Sequence, residues 1–176
     1  MRAFIGLELP PSLKDAAAGV SADLARLLHG RFLSSDGYHL TLAFLGEGDA
    51  SQVELACRAL DRSVAGREPV ELVPEGLGTF GRPIDATLWL GVADTPELSD
   101  LASDLCAELR ASGVPFDETS FVPHVTIARR ARILRDALPP LPSVPSAPAP
   151  RATLFESVLT PEGAVYRPVY SVDFGG

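Results

Sequence analysis

The sequence predicts an α+β fold made of two similar halves, each running strand, helix, strand. Three observations predict it. Strand-length apolar runs alternate with helical stripes along most of the 176 residues. The tetrad His39-Leu40-Thr41-Leu42 has an echo in His124-Val125-Thr126-Ile127. Each tetrad follows an opening apolar strand at nearly the same distance, 35 residues from Phe4 to His39 and 36 from Leu88 to His124. This spacing reads as a diverged internal duplication. Packed about a pseudo-two-fold, the halves would bring the two tetrads face to face.

Residues 3–9 form the first strand, apolar and ended by Pro10-Pro11. Residues 11–28 carry Leu13, Ala17, Val20, Leu24, Leu27 and Leu28 on one helical face, with Gly30 past the end. The first tetrad sits in the strand that follows Gly37. Residues 50–65 are a second helix with Val53, Ala56, Cys57, Leu60 and Val64 as its stripe; Ser51 and Glu54 suit a capping box. Residues 69–81 read as a broken strand with glycine turns, and 86–92 as another strand. Residues 95–112 form a helix with Leu98, Leu101, Leu105 and Leu109 inward, ended by Gly113. The second tetrad comes next. Residues 139–150 hold six prolines in twelve and are expected as an exposed extended connector. A closing hairpin, 151–159 and 165–174, turns at Pro161-Glu162-Gly163.

Composition narrows the function. Apolar content of 46% with 22% charged residues suits a globular chain with a real core. The short apolar stretch at the N-terminus is too brief for a leader, so a cytoplasmic protein without a membrane span is expected. The net charge of −8 argues against a broad non-specific nucleic-acid groove but leaves room for a small phosphate pocket. Lys14 is the sole lysine, and no GxxxxGK loop occurs. Phosphate-loop ATP chemistry and a covalent lysine–nucleotide intermediate are therefore disfavoured. Cys57 and Cys106 lie at apolar helical positions and read as buried free thiols.

Residues i and i+2 of a strand share a face. His39 and Thr41 thus point one way and Leu40 and Leu42 the other; the second tetrad repeats this. Two such strands side by side make a cleft with two imidazoles and two hydroxyls. Hydrolysis of a phosphodiester needs a proton removed from water and another delivered to the leaving oxygen. Imidazole does either near neutral pH, where its ordinary pKa is ~6.5. Threonine hydroxyls can donate to the non-bridging oxygens as charge builds. A metal site would need a third ligand at suitable spacing; His29 stands in another context, so neither metal nor cofactor is expected.

At these residues the chain resembles the 2H phosphoesterase superfamily, and within it the RNA 2′,3′-cyclic phosphodiesterase family, also called 2′-5′ RNA ligase. "MRAFIGLELP", "HLTLAFLG", "LWLGV", "FVPHVTIAR" and "LFESVLTPEGAVYRPV" match the family's segments in order. The resemblance implies one bilobal unit over 1–176, each lobe an antiparallel sheet with outer helices around a central cleft. It implies metal-independent opening of a 2′,3′-cyclic phosphate at an RNA 3′ end, or of a nucleoside 2′,3′-cyclic phosphate, to a 2′-phosphate. His39 would be the proton donor to O3′ and His124 the proton acceptor from water. Thr41 and Thr126 would hold the phosphate. Reverse 2′-5′ ligation follows by microscopic reversibility, and a monomer is expected.

Two departures accompany the resemblance. The family often has Lys where this chain has Ala43, on the face of His39 by strand alternation, and Arg where it has Thr119. By the same alternation Arg129 falls on the face opposite His124 unless the strand bends, so an outer salt bridge and substrate contact both stand. Phe80 and Arg82 lie at the cleft rim to stack on or clamp a base, or else pack a turn. The alternatives are a hydrolase of another small cyclic phosphate, an enzyme cleaving 2′-5′ diesters, and a non-catalytic module that grips a phosphate or an RNA end.

Overall fold

The computed structural model of the protein describes residues 1–134 and 138–175. In chain order the elements are β1 (Arg2–Glu8), α1 (Pro11–Leu27), β2 (His29–Phe32), β3 (His39–Glu47), α2 (Ala50–Val64), β4 (Glu71–Leu72), β5 (Pro74–Arg82), β6 (Asp85–Val92), α3 (Pro96–Ala111), β7 (His124–Arg132), β8 (Ala147–Pro148), β9 (Arg151–Thr160) and β10 (Gly163–Asp173). The main sheet runs β10-β9-β1-β3-β7-β6-β5, every pairing antiparallel, with β2 also on β7. The α+β architecture read from the sequence is the one observed.

Alternation puts one face of this sheet into the core. Ile5, Leu7, Leu40, Leu88, Leu90, Val125, Ile127 and Leu154 are fully buried and join one apolar cluster with the inner stripes of all three helices. Burying each such side chain stabilises the fold by about 1.5–3 kcal/mol. Phe4 and Phe155 are also buried but lie outside that cluster, on the opposite face. The halves meet at one pair of residues, Leu40 and Val125 on β3 and β7. Around that joint β3 is held by β1, and β7 by β6.

Several local expectations are corrected. Asp49, not Ser51, caps α2, with Gln52 as its reciprocal partner, because the helix begins one residue earlier. Leu27 is two-thirds exposed, since α1 ends there and the chain leaves in an extended direction. Both cysteines are free but only half-buried. The proline-rich stretch is not wholly a connector. Its small residues Ala147 and Ala149 are buried, β8 pairs with β4, and Ala149 N donates to Val70 O at 2.9 Å. The strand β2 was not anticipated. It lies against β7 and carries His29, an exposed strand residue and not a helix end.

Leu40→Ala should destabilise the protein by about 2–5 kcal/mol in urea unfolding, through lost burial plus a cavity. Combined with Val125→Ala it should cost less than the two singles summed, because the pair shares one contact. Strict additivity would mean that the joint is not a packed unit.

Candidate active site

The single Leu40–Val125 pairing sets the site. One step to either side, antiparallel register puts His39 beside Thr126 and Thr41 beside His124. Since Leu40 and Val125 face the core, all four polar side chains face the other way. His39, Thr41, His124 and Thr126 are each half-buried on that face.

Both imidazoles are oriented alike. Nδ1 of His39 lies 2.8 Å from the Gly37 carbonyl, and Nδ1 of His124 lies 2.6 Å from the Val122 carbonyl. A carbonyl only accepts, so Nδ1 carries the hydrogen. Nε2 is left as the working nitrogen, a bare base in the neutral ring and a donor in the protonated one.

Aromatic walls enclose the rings. The His39 centroid is 4.5 Å from Phe4, 4.8 Å from Tyr166 edge-on and 5.9 Å from Phe155. His124 meets Phe80 edge-on at 5.0 Å and Trp89 at 5.9 Å. Burial is the main cause that pulls His39 down to about 4; its bond to the Gly37 carbonyl opposes this, and the charges of Arg129 and His124 add to it. His124 is also lowered, first by burial and then by Arg129, against the Val122 carbonyl bond. Both rings are thus neutral at pH 7 in the free protein. A phosphate anion between them would offset the cationic charge and favour protonation.

Strand bulges correct three placements. Between Thr41 and Ala43, β3 gains a residue relative to β1, so Ala43 pairs with core-facing Ile5 and is 5% exposed. It turns inward, away from the His39 face. Phe44 takes the outward place, 47% exposed and 5.9 Å from the Phe4 ring, so it does not anchor the strand in the core. The same bulge recurs in β7, where Ala128 pairs with core-facing Leu88. Arg129 is thereby returned to the histidine face, close enough to lower the pKa of both rings.

Phe80 lies in the site against His124. Arg82 does not: it stands across from Asp85 at the far end of β5, four residues beyond Gly78 and the Thr126–Trp89 row. Four residues of strand span about 13 Å.

Other residues escaped the sequence reading. Arg31 on β2 lies directly across from Arg129 and packs against Gly163 in the β9–β10 turn. Glu8 pairs with His39 across β1, but its carboxylate accepts from Thr153 Oγ1 at 2.6 Å. Gly6 pairs with Thr41, and a Cβ there would sit 2.8 Å from the Leu40 carbonyl oxygen. Gly6 therefore allows β3 its close approach and leaves room for His39 to lean toward Phe4. Phe4 and Gly6 were legible as strand residues. Arg31 and Tyr166 had no signal, because their strands' positions depend on long-range pairing.

Residues 10–150 match the 2′-5′ RNA ligase superfamily. An RNA 2′,3′-cyclic phosphodiesterase of Thermotoga maritima is 32% identical over 186 residues, spanning all of this chain and 97% of that protein. A protein of the same name from Aquifex aeolicus is 27% identical over 100% of this chain and 98% of its own. Among solved structures, Escherichia coli LigT complexed with 3′-AMP superposes with a TM-score of 0.82 at 25% identity, covering 99% of this chain and 98% of that one. Its apo form gives 0.80 at 27% identity, covering 98% and 96%.

The lowered His39 pKa makes stability depend on pH. Between about 6.5 and 4 the unfolded chain takes up a proton at residue 39 that the folded chain refuses, so stability falls as pH falls through that window, by something on the order of 2 kcal/mol. Chemical denaturation at pH 7 and pH 5 should show His39→Gln losing less stability than the parent. An equal loss in both would place the effect elsewhere.

Proposed function

Because the chain belongs to the 2′-5′ RNA ligase superfamily, we propose that its cleft opens the 2′,3′-cyclic phosphate at an RNA 3′ end and leaves a 2′-phosphate. The protein is a phosphoric diester hydrolase, an RNA 2′,3′-cyclic phosphodiesterase. The observation that carries the reading is the Leu40–Val125 register, which gathers two imidazoles and two hydroxyls on one face around a space for one phosphorus. No helix among the described residues is long and apolar enough to cross a membrane.

In this reading residues 1–176 work as one unit, and the two histidines divide one proton transfer between them. Water sits beside His124, whose Nε2 takes its proton as the oxygen attacks phosphorus. The P–O3′ bond breaks on the opposite side, and O3′ takes a proton from Nε2 of protonated His39. The ester to O2′ remains. Thr41 and Thr126 donate to the non-bridging oxygens, and Arg129 offsets the charge gathered there. His39 is the ring more reluctant to hold a proton in the free protein, so its role as donor depends on the substrate's negative charge. Arg31 across from Arg129 supports a polynucleotide, whose next phosphate would meet a second guanidinium. Phe80 offers a ring edge at the second histidine for a base.

Purified protein in EDTA should convert 2′,3′-cyclic nucleotides and cyclic-phosphate-ended RNA to 2′-phosphates and leave 3′,5′-cyclic nucleotides intact. A requirement for added divalent metal would overturn the two-histidine mechanism. His39→Ala and His124→Ala should each lower kcat by ~10²–10⁴, since each removes one proton-transfer partner. The kcat/KM profile should be bell-shaped with its optimum below about pH 6.5, because both rings are lowered in the free protein, and the kcat optimum should lie higher, because bound phosphate raises both. A profile without an alkaline limb would count against paired acid and base.

A further inference from the structure

The pseudo-two-fold is broken beside the site. Beyond the His39–Thr126 row, β2 closes the sheet by pairing with β7. The corresponding segment of the second half, 114–123, does not zip onto β3; its main-chain tie there is Asp117 N to Phe44 O at 2.8 Å. What remains is a cavity of about 350 Å³ between α3, the 116–122 segment and β3, with Thr41 and His124 on its inner wall. That is within the size range of small-molecule sites, roughly 300–1,000 Å³.

Its chemistry differs from that of the phosphate position. Phe44, Phe116 and Phe121 contribute apolar wall, and Ser99, Ser103 and Thr119 contribute hydroxyls. Among its ionisable groups Asp94, Asp117 and Glu118 face Arg110, which is already held by Glu118 at 3.0 Å and lies over the Phe116 ring. The recess is therefore net acidic, while the cationic Arg31–Arg129 pair stands at the other end of the site. An anion is disfavoured in it. A neutral, flat, hydroxyl-bearing group fits.

We propose that this recess seats the uncharged 5′-terminal nucleoside of a 5′-hydroxyl RNA, which takes the place of water as nucleophile and yields a 2′-5′ phosphodiester. The inference rests on the cyclic-phosphate reading above. Position decides the role: the recess adjoins His124, the ring that accepts the nucleophile's proton, and lies on the far side of the joint from Arg129. The 5′-oxygen bonds to phosphorus and gives its proton to His124 Nε2. The P–O3′ bond breaks, and O3′ takes a proton from His39. The ester to O2′ is retained, no co-reactant is consumed, and the product has a 2′-5′ linkage beside a free 3′-hydroxyl.

The test is partition. Cyclic AMP of the 2′,3′ type is incubated with the protein and millimolar adenosine, and the 2′-5′ dinucleoside phosphate and 2′-AMP are separated by chromatography. Ser103→Trp and Thr119→Trp fill the recess from opposite walls at exposed positions, where folding tolerates bulk. In each variant that unfolds at the parent's temperature, the ratio of ligated to hydrolysed product should fall at least ~10-fold, while kcat/KM for hydrolysis stays within ~3-fold. Unchanged partition in both, or no dinucleoside product from the parent while hydrolysis proceeds, overturns the recess assignment and leaves the hydrolase reading standing. No turnover of the cyclic nucleotide by the parent overturns the hydrolase reading and this one with it.

Discussion

The structure depends on two apolar residues meeting back to back under the site. Leu40 and Val125 are the point at which the half-sheets join, and both are sealed from water on the core side. Strand alternation then leaves no freedom about what lies above them. A slip of one residue at this joint would turn both imidazoles into the core and both apolar residues into the cleft. The hydrophobic effect thus enforces the register, and the register assembles the polar groups. No hydrogen bond between the four polar side chains is needed to hold them in place.

Much of this was legible before any coordinates. Period-two alternation around His39 and His124, together with their matched spacing, was enough to place two imidazoles and two hydroxyls on one face. The reading stopped at the bulges. Residues Leu42-Ala43 and Ile127-Ala128 are both apolar pairs, and an apolar pair in a strand is the mark that both side chains turn inward and the phase resets. Read that way, Ala43 goes inside and Arg129 comes out. Ala43 is therefore not an outward position that lost its charge, and the cation near both histidines is Arg129. Nothing local announced β2 or the wall that Tyr166 makes, since those contacts join segments far apart in sequence.

The two halves share a backbone plan but not an environment. Where Gly6 leaves space beside Thr41, Trp89 fills the matching place beside Thr126. Three aromatic rings surround His39, two border His124, and only the second histidine opens on a recess. A symmetric site would give each ring the same proton affinity and no direction to the reaction. The side chains around the joint supply the asymmetry that the duplicated strands lack.

The position of β1 has a consequence for how the molecule assembles. It lies between β3 and β9, so one neighbour follows it by some forty residues and the other by about 150. The strands around His124 all come from one continuous stretch, whereas two of the three rings around His39 arrive with the β9–β10 hairpin. A growing chain can finish the second half of its site while the first histidine is still bathed in water. Until that hairpin docks, His39 titrates like any exposed imidazole, and the difference in proton affinity across the joint does not yet exist. Local opening of the same hairpin in the finished protein would erase that difference again without disturbing the joint beneath it.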